Sequence, residues 1–207
     1  MRRLADILYN FHWVVPGDAA RAAQAWGGYL KPFLARRGIA AIINLRGDNS
    51  DLSWWQYETR VAKELGIAHL DTMMDSRKLP TRKMLVRLIE SFDTAPRPFM
   101  LKCSGGQDRT SFAAALYILH KQGWDAMDKA MGQFARFPYL HFPKEHQRWL
   151  RQFPEFAREQ AGGRSLEEWI WNDYAPETLK AWLDARGMGE FYAGIFVVPT
   201  RSPWQWR

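Results

Sequence analysis

Phe99-Met100-Leu101-Lys102-Cys103-Ser104-Gly105-Gly106-Gln107-Asp108-Arg109-Thr110-Ser111 places the only cysteine of the chain six residues before an arginine. Pro98 to Cys103 reads as a short buried strand, Ser104 to Asp108 as a loop of small residues, and Arg109 to Gln122 as a helix with Phe112, Leu116 and Leu119 on one side. A loop that opens onto a helix N-terminus can turn successive backbone N–H groups inward around a phosphate dianion, with the positive end of the helix behind them. The same field favours the thiolate form of Cys103. Arg109 can fold back and grip two phosphate oxygens with its planar fork, and the Thr110 hydroxyl lies near the sulfur. Ser104, Gly105, Gly106, Gln107, Asp108 and Thr110 are therefore the expected phosphate-binding residues. The alternative is a lone cysteine packed as a small hydrophobe. It does not account for the conjunction of strand, glycine loop and Arg-Thr helix start.

Working outward, strand-like Ile39 to Leu45, Ile67 to Met74 and Pro98 to Cys103 alternate with helix-like Trp54 to Leu65, Thr81 to Phe92 and Arg109 to Gln122. This alternation predicts an α/β fold with a mostly parallel central sheet flanked by helices. The Cys103 loop then sits at the carboxyl end of its strand, where such folds bind ligands. Residues 124 to 186 read as further helices broken at Pro138, Pro143, Pro154, Gly162-Gly163 and Pro176, packed on the same core. One domain over residues 1–207 is expected, with a core of about 10–136 and a C-terminal helical extension of about 137–207.

Composition bounds the function. The 207 residues, 47% of them hydrophobic, suffice for a full core. Their apolar content is dispersed, with no stretch near the ~20 apolar residues of a membrane span. Met1-Arg2-Arg3 precedes a polar-interrupted Leu4 to Trp13 and not an unbroken signal core. A single cysteine offers no disulfide framework, and a thiolate nucleophile suits a reducing compartment, so a cytoplasmic location is expected. The five histidines and the cysteine form no recognisable metal-ligand spacing, and neither a metal nor another cofactor is expected. The net charge of +7 favours encounter with anions, but no nucleic-acid motif accompanies it. In Phe134 to Phe142, followed by Lys144, Arg148, Trp149, Arg151 and Phe153, aromatics and bases interleave. Such a stretch can meet an anionic membrane, but helices with core aromatics and solvated bases are the favoured reading.

The C-x-x-x-x-x-R-[ST] loop resembles the signature loop of the cysteine-dependent tyrosine and dual-specificity phosphatases. Asn10-Phe11-His12, Val15-Pro16-Gly17, Arg21, Gln24, Ile42 to Gly47, Glu58, Gly66-Ile67 and Ser76 to Pro80 follow the order of the bacterial atypical dual-specificity phosphatases. The resemblance covers roughly residues 10 to 125. Lys102 stands where that family usually has His, leaving a cation beside the thiol, and Gln107 stands where Lys is frequent. The resemblance implies a cysteinyl-phosphate mechanism on a phosphorylated protein or another phosphomonoester, phospholipids and small metabolites included. A catalytically silent phosphate-binding module on the same fold is the alternative class.

The chemistry also needs a proton donor to the leaving oxygen. Asp71 falls inside the expected strand and Asp75 at its exit, and the family's acid lies on a loop shortly before a proline. Asp75 with Pro80 is therefore the expected acid. Asp108 is either a water positioner or a loop aspartate bonded to its own backbone. Arg46 and Arg77 could reach the rim.

Overall fold

The computed structural model describes residues 4–26 and 28–197. Strands β1 (His12–Val15), β2 (Ala19–Ala22), β3 (Ala41–Asn44), β4 (Ala68–Asp71) and β5 (Phe99–Lys102) form one sheet in the order β1-β2-β5-β3-β4. The pairings of β2 with β5, β5 with β3 and β3 with β4 are parallel, and β1 joins β2 antiparallel at one edge. The three parallel strands of the sequence expectation are present. The hairpin of β1 and β2 is additional to that expectation: Ala19-Ala20-Arg21-Ala22 lacks the β-branched and aromatic residues that mark strands, and His12-Trp13-Val14-Val15 has them over only four residues before Pro16-Gly17.

Period-two alternation in the central strands divides the core. Ile43, Leu45, Phe99 and Leu101 face one cluster, and Ala20, Ala22, Ile42 and Met100 the other. Around the sheet run α1 (Leu4–Leu8), α2 (Leu30–Ala35), α3 (Ser53–Leu65), α4 (Arg82–Thr94), α5 (Asp108–Gln122), α6 (Met127–Gly132), α7 (Trp149–Ala161), α8 (Leu166–Asn172) and α9 (Pro176–Asp184). Leu30, Phe33, Leu34 and Val61 of α2 and α3 cover one face; α4, α5 and the helices after it cover the other.

Residues Thr110 to Leu119 of α5 are all buried, a helix wrapped on every side. The covering comes from the C-terminal helices, as expected: Phe112 meets Trp149 at 5.3 Å and Phe153 at 5.1 Å between ring centroids. Pro154 breaks nothing, contrary to the expectation. It lies inside α7, where Phe153, Pro154, Phe156 and Ala157 are buried, and that packing offsets the one helical hydrogen bond a proline deletes. Gly162, at φ 59°, does close α7, and Pro176 opens α9. Residues 198–207 of the expected extension, and Met1-Arg2-Arg3, lie outside the described residues.

Candidate active site

Cys103 follows β5 at the carboxyl end of the parallel sheet, and the loop after it is anchored by its carbonyls. The Ser104 carbonyl accepts the Gln24 N–H at 3.0 Å. The Gly106 carbonyl accepts the Asn10 amide at 2.9 Å and the Arg21 guanidinium at 3.1 Å. With these carbonyls tied outward, the N–H groups of Gly106 and Gln107 point at the sulfur of Cys103. Gly106 has φ +64°, and a Cβ there would stand 2.6 Å from the Ala23 nitrogen and 2.7 Å from the Ala22 carbonyl carbon. Only glycine lets the loop lie this close to the end of β2.

Burial alone would push the Cys103 thiol upward. The positive charge of Arg109, the Thr110 hydroxyl at 3.0 Å and the two backbone N–H groups outweigh it, and the thiol falls below its ordinary range. Arg109 folds back over the loop, its guanidinium 3.3 Å from the Ser104 hydroxyl. The structure thus gathers Cys103, Ser104, Gly106, Gln107, Arg109 and Thr110 around one point, with Gly105 exposed at the rim. Arg46 also belongs here. It stacks on Trp54 at 3.6 Å, and burial followed by repulsion from Arg109 lowers its pKa. Arg77 is exposed in the loop after β4.

Lys102 does not supply a cation to the thiol. Because neighbouring strand residues face opposite sides, its ammonium turns the other way, 2.7 Å from Glu58, 2.8 Å from the Gln24 amide oxygen and 4.4 Å from the Trp54 ring centroid. Burial brings the Lys102 pKa down to about 8, with Glu58 acting in the opposite direction. Glu58 itself, buried in α3, stays below the ordinary carboxylate value despite desolvation, because His69 at 2.8 Å and Lys102 both stabilise its charge. Gln24, Glu58, Lys102 and His69 form a buried polar layer under the loop. The order of residues in the chain had hinted at Gln24 and Glu58 without giving them a role. Arg21, which belongs to the same order, is fully buried in β2 and donates to the Gly106 carbonyl.

Of the acid candidates, Asp75 lies beyond the end of β4, and its carboxylate accepts the N–H groups of Arg77 and Lys78 at 2.7 and 3.1 Å. This is an Asx-type turn that leaves its second oxygen uncommitted to those bonds. Asp71 ends β4, bound by the Asn44 amide at 2.6 Å and the Trp55 indole at 3.1 Å, and desolvation raises its pKa. Asp108 opens α5, with His141 3.4 Å away. His141 is buried, and among the described residues neither of its ring nitrogens makes a hydrogen bond. No periodicity or motif points to His141, which arrives from an irregular segment far along the chain.

No protein-family model matches this chain, and no curated protein does. Solved structures do. The core catalytic domain of the PP-IP phosphatase SIW14 from S. cerevisiae superposes with a TM-score of 0.56 at 18% identity, covering 86% of this chain and 93% of that one. Tk-PTP in its active form gives 0.53 at 15% identity, over 70% and 96%. PTPMT1 in complex with PI(5)P gives 0.54 at 12% identity, over 73% and 99%.

The chain has the cysteine-dependent phosphatase fold.

Within that fold, β5, the Cys103 loop and α5 form the strand-loop-helix unit at the centre of the sheet, and α8 and α9 add to the face that covers α5.

Proposed function

We propose that this chain is a cysteine-dependent phosphomonoesterase of the protein-tyrosine and dual-specificity type, working through a cysteinyl-phosphate intermediate. The observation that carries the reading is the environment of the Cys103 sulfur, where Arg109, Thr110 and two backbone N–H groups favour the thiolate inside a loop built to surround an oxyanion. Cys103 attacks phosphorus and the bond to the ester oxygen breaks as Asp75 gives that oxygen a proton. Water, deprotonated by Asp75, then breaks the sulfur–phosphorus bond and releases phosphate. Arg109 and the amides of Ser104 to Asp108 hold the equatorial oxygens, whose charge is met by dipoles already in place. Thr110 stabilises the departing thiolate. The expected substrate is a phosphorylated protein or another phosphomonoester.

The test is a rapid-quench burst with an aryl phosphate. Cys103 should carry labelled phosphate during turnover, and Cys103→Ser should retain substrate affinity while turnover falls by at least about a thousandfold. Appreciable turnover by Cys103→Ser overturns the covalent mechanism.

A further inference from the structure

Most of the large apolar side chains that stay exposed among the described residues flank segments hydrogen-bonded to the Cys103 loop. On one side are Phe137 (74% exposed), Leu140 and Phe142 (55%), with the Phe137 and Phe142 rings 6.2 Å apart. On the other are Leu4, Ile7 and Leu8 of α1, with Trp26 (54%). The Asn10 amide ties both sides to the loop, donating to the Gly106 carbonyl and, at 2.9 Å, to the Tyr139 carbonyl. Trp26 follows closely on Gln24, whose N–H holds Ser104. Leu4, Leu8 and Trp26 border a shallow hollow of about 530 Å³, and Asp6 of α1 shares a second hollow with Pro138 and Tyr139. The two apolar groups are thus neighbours, joined through Asn10 and this second hollow.

Cations frame the first group. Arg136 lies 5.9 Å from the Phe142 ring centroid, Lys144 and Arg148 are exposed, and Gln147 and Trp149 tie this segment to Ser76, beside the exposed Arg77 and Lys78. Glu145 and Asp75 are the acids among them. Exposed aromatics rimmed by bases around a phosphate-binding loop do not suit contact with water alone. The same pattern, apolar side chains at acyl depth and bases at headgroup level, is what holds proteins to an anionic bilayer surface.

We propose that this rim docks on an anionic phospholipid membrane and presents to Cys103 a phosphomonoester carried on a lipid headgroup. The proposal rests on the phosphomonoesterase reading and narrows its substrate class. Rings at Phe137 and Phe142 enter the interface, Arg136 and Lys144 meet the lipid phosphates, and the headgroup ester enters the loop that the apolar rim surrounds.

The experiment pairs sedimentation with turnover. The protein is mixed with phosphatidylcholine vesicles, with and without phosphatidylserine, and supplied with a phosphatidylinositol monophosphate either embedded in the vesicles or as its short-chain soluble form. The wild-type chain should sediment with the anionic vesicles, less so with neutral ones, and release with added salt. The Phe137→Ser/Phe142→Ser double variant should lose about tenfold or more in vesicle partition. It should lose a similar factor on the embedded ester while hydrolysing the soluble form at the wild-type rate. Ile7→Ser should weaken partition in the same direction. Wild-type protein that stays in solution with anionic vesicles, or a double variant that partitions as wild type does, overturns the proposal. Loss of phosphopeptide turnover in the double variant with unchanged partition also overturns it and makes the rim a protein-docking face. Sedimentation is read without turnover. A chain that binds vesicles but hydrolyses neither form therefore overturns the enzymatic reading and leaves the docking face standing.

Discussion

Cys103 is the only thiol in the chain, so its ionisation can be followed as the ultraviolet difference between wild type and Cys103→Ser with no competing thiol. The arrangement of Arg109, Thr110 and the loop N–H groups predicts a titration midpoint below that of an ordinary thiol, and Thr110→Ala should move it upward because the 3.0 Å contact to the sulfur is lost. The linkage has a definite sign. A thiol whose folded pKa is depressed adds stability in full above the unfolded pKa and loses it as pH falls through the folded one. The wild-type chain should therefore gain stability relative to Cys103→Ser as pH rises across that window, read by urea unfolding at each pH. A midpoint at or above the ordinary thiol value refutes the anion-cradle account. The acid is separated by leaving-group chemistry. Asp75→Ala should slow hydrolysis of a phosphotyrosine or alkyl phosphate by about a hundredfold or more while sparing an activated aryl phosphate. Asp71→Ala should alter all substrates alike, since its carboxylate is committed to Asn44 and Trp55. The reverse pattern assigns the acid to Asp71.

At the scale of the loop and its strands, the two glycines make opposite predictions. Gly106→Ala forces a Cβ into the Ala22–Ala23 backbone at a φ that disfavours any side chain, so the loop must move away from β2. Activity should fall by about a hundredfold or more, with a stability loss of about 1–3 kcal/mol in denaturant. Gly105→Ala meets only the flexible Gln107 side chain at 3.5 Å and should stay within about 0.5 kcal/mol of wild type. Equal effects of the two substitutions would show that the close approach is not what shapes the loop. This loop was legible in the sequence because strand, small residues and helix start are local patterns. The buried layer beneath it was not: pairing Lys102 with Glu58 and Glu58 with His69 depends on which face each strand residue takes and on where α3 crosses the sheet. His141 beside Asp108 is further from reach, since an irregular segment has no periodicity to place it. Strand β2 escaped for a related reason: its three alanines carry no strand preference, and its place in the sheet is set by the parallel pairing with β5.

For the whole molecule, the question is whether the helices after residue 136 share the cooperative core or merely lie on it. Phe153 decides it. Its ring is within 5.1 Å of Phe112 in α5, 5.7 Å of Tyr174, and 6.1 Å of both Phe156 and Trp169, and it is fully buried. One side chain therefore joins the helix that begins at the phosphate loop to α7, α8 and the turn before α9. Truncating such a ring removes its transfer free energy and leaves a cavity that surrounding aromatics cannot close. Phe153→Ala should cost about 3–5 kcal/mol in a single unfolding transition that tryptophan fluorescence and far-ultraviolet circular dichroism report together. Because Phe153 sits behind α5 and not in the loop, hydrolysis of an activated aryl phosphate per folded molecule should hold within about threefold of wild type at low temperature. It should collapse on mild heating as the folded fraction falls. Two separated transitions, with only the tryptophan signal shifted by the substitution, would mean that the C-terminal helices unfold on their own and that the phosphate loop rests on the sheet and α5 alone.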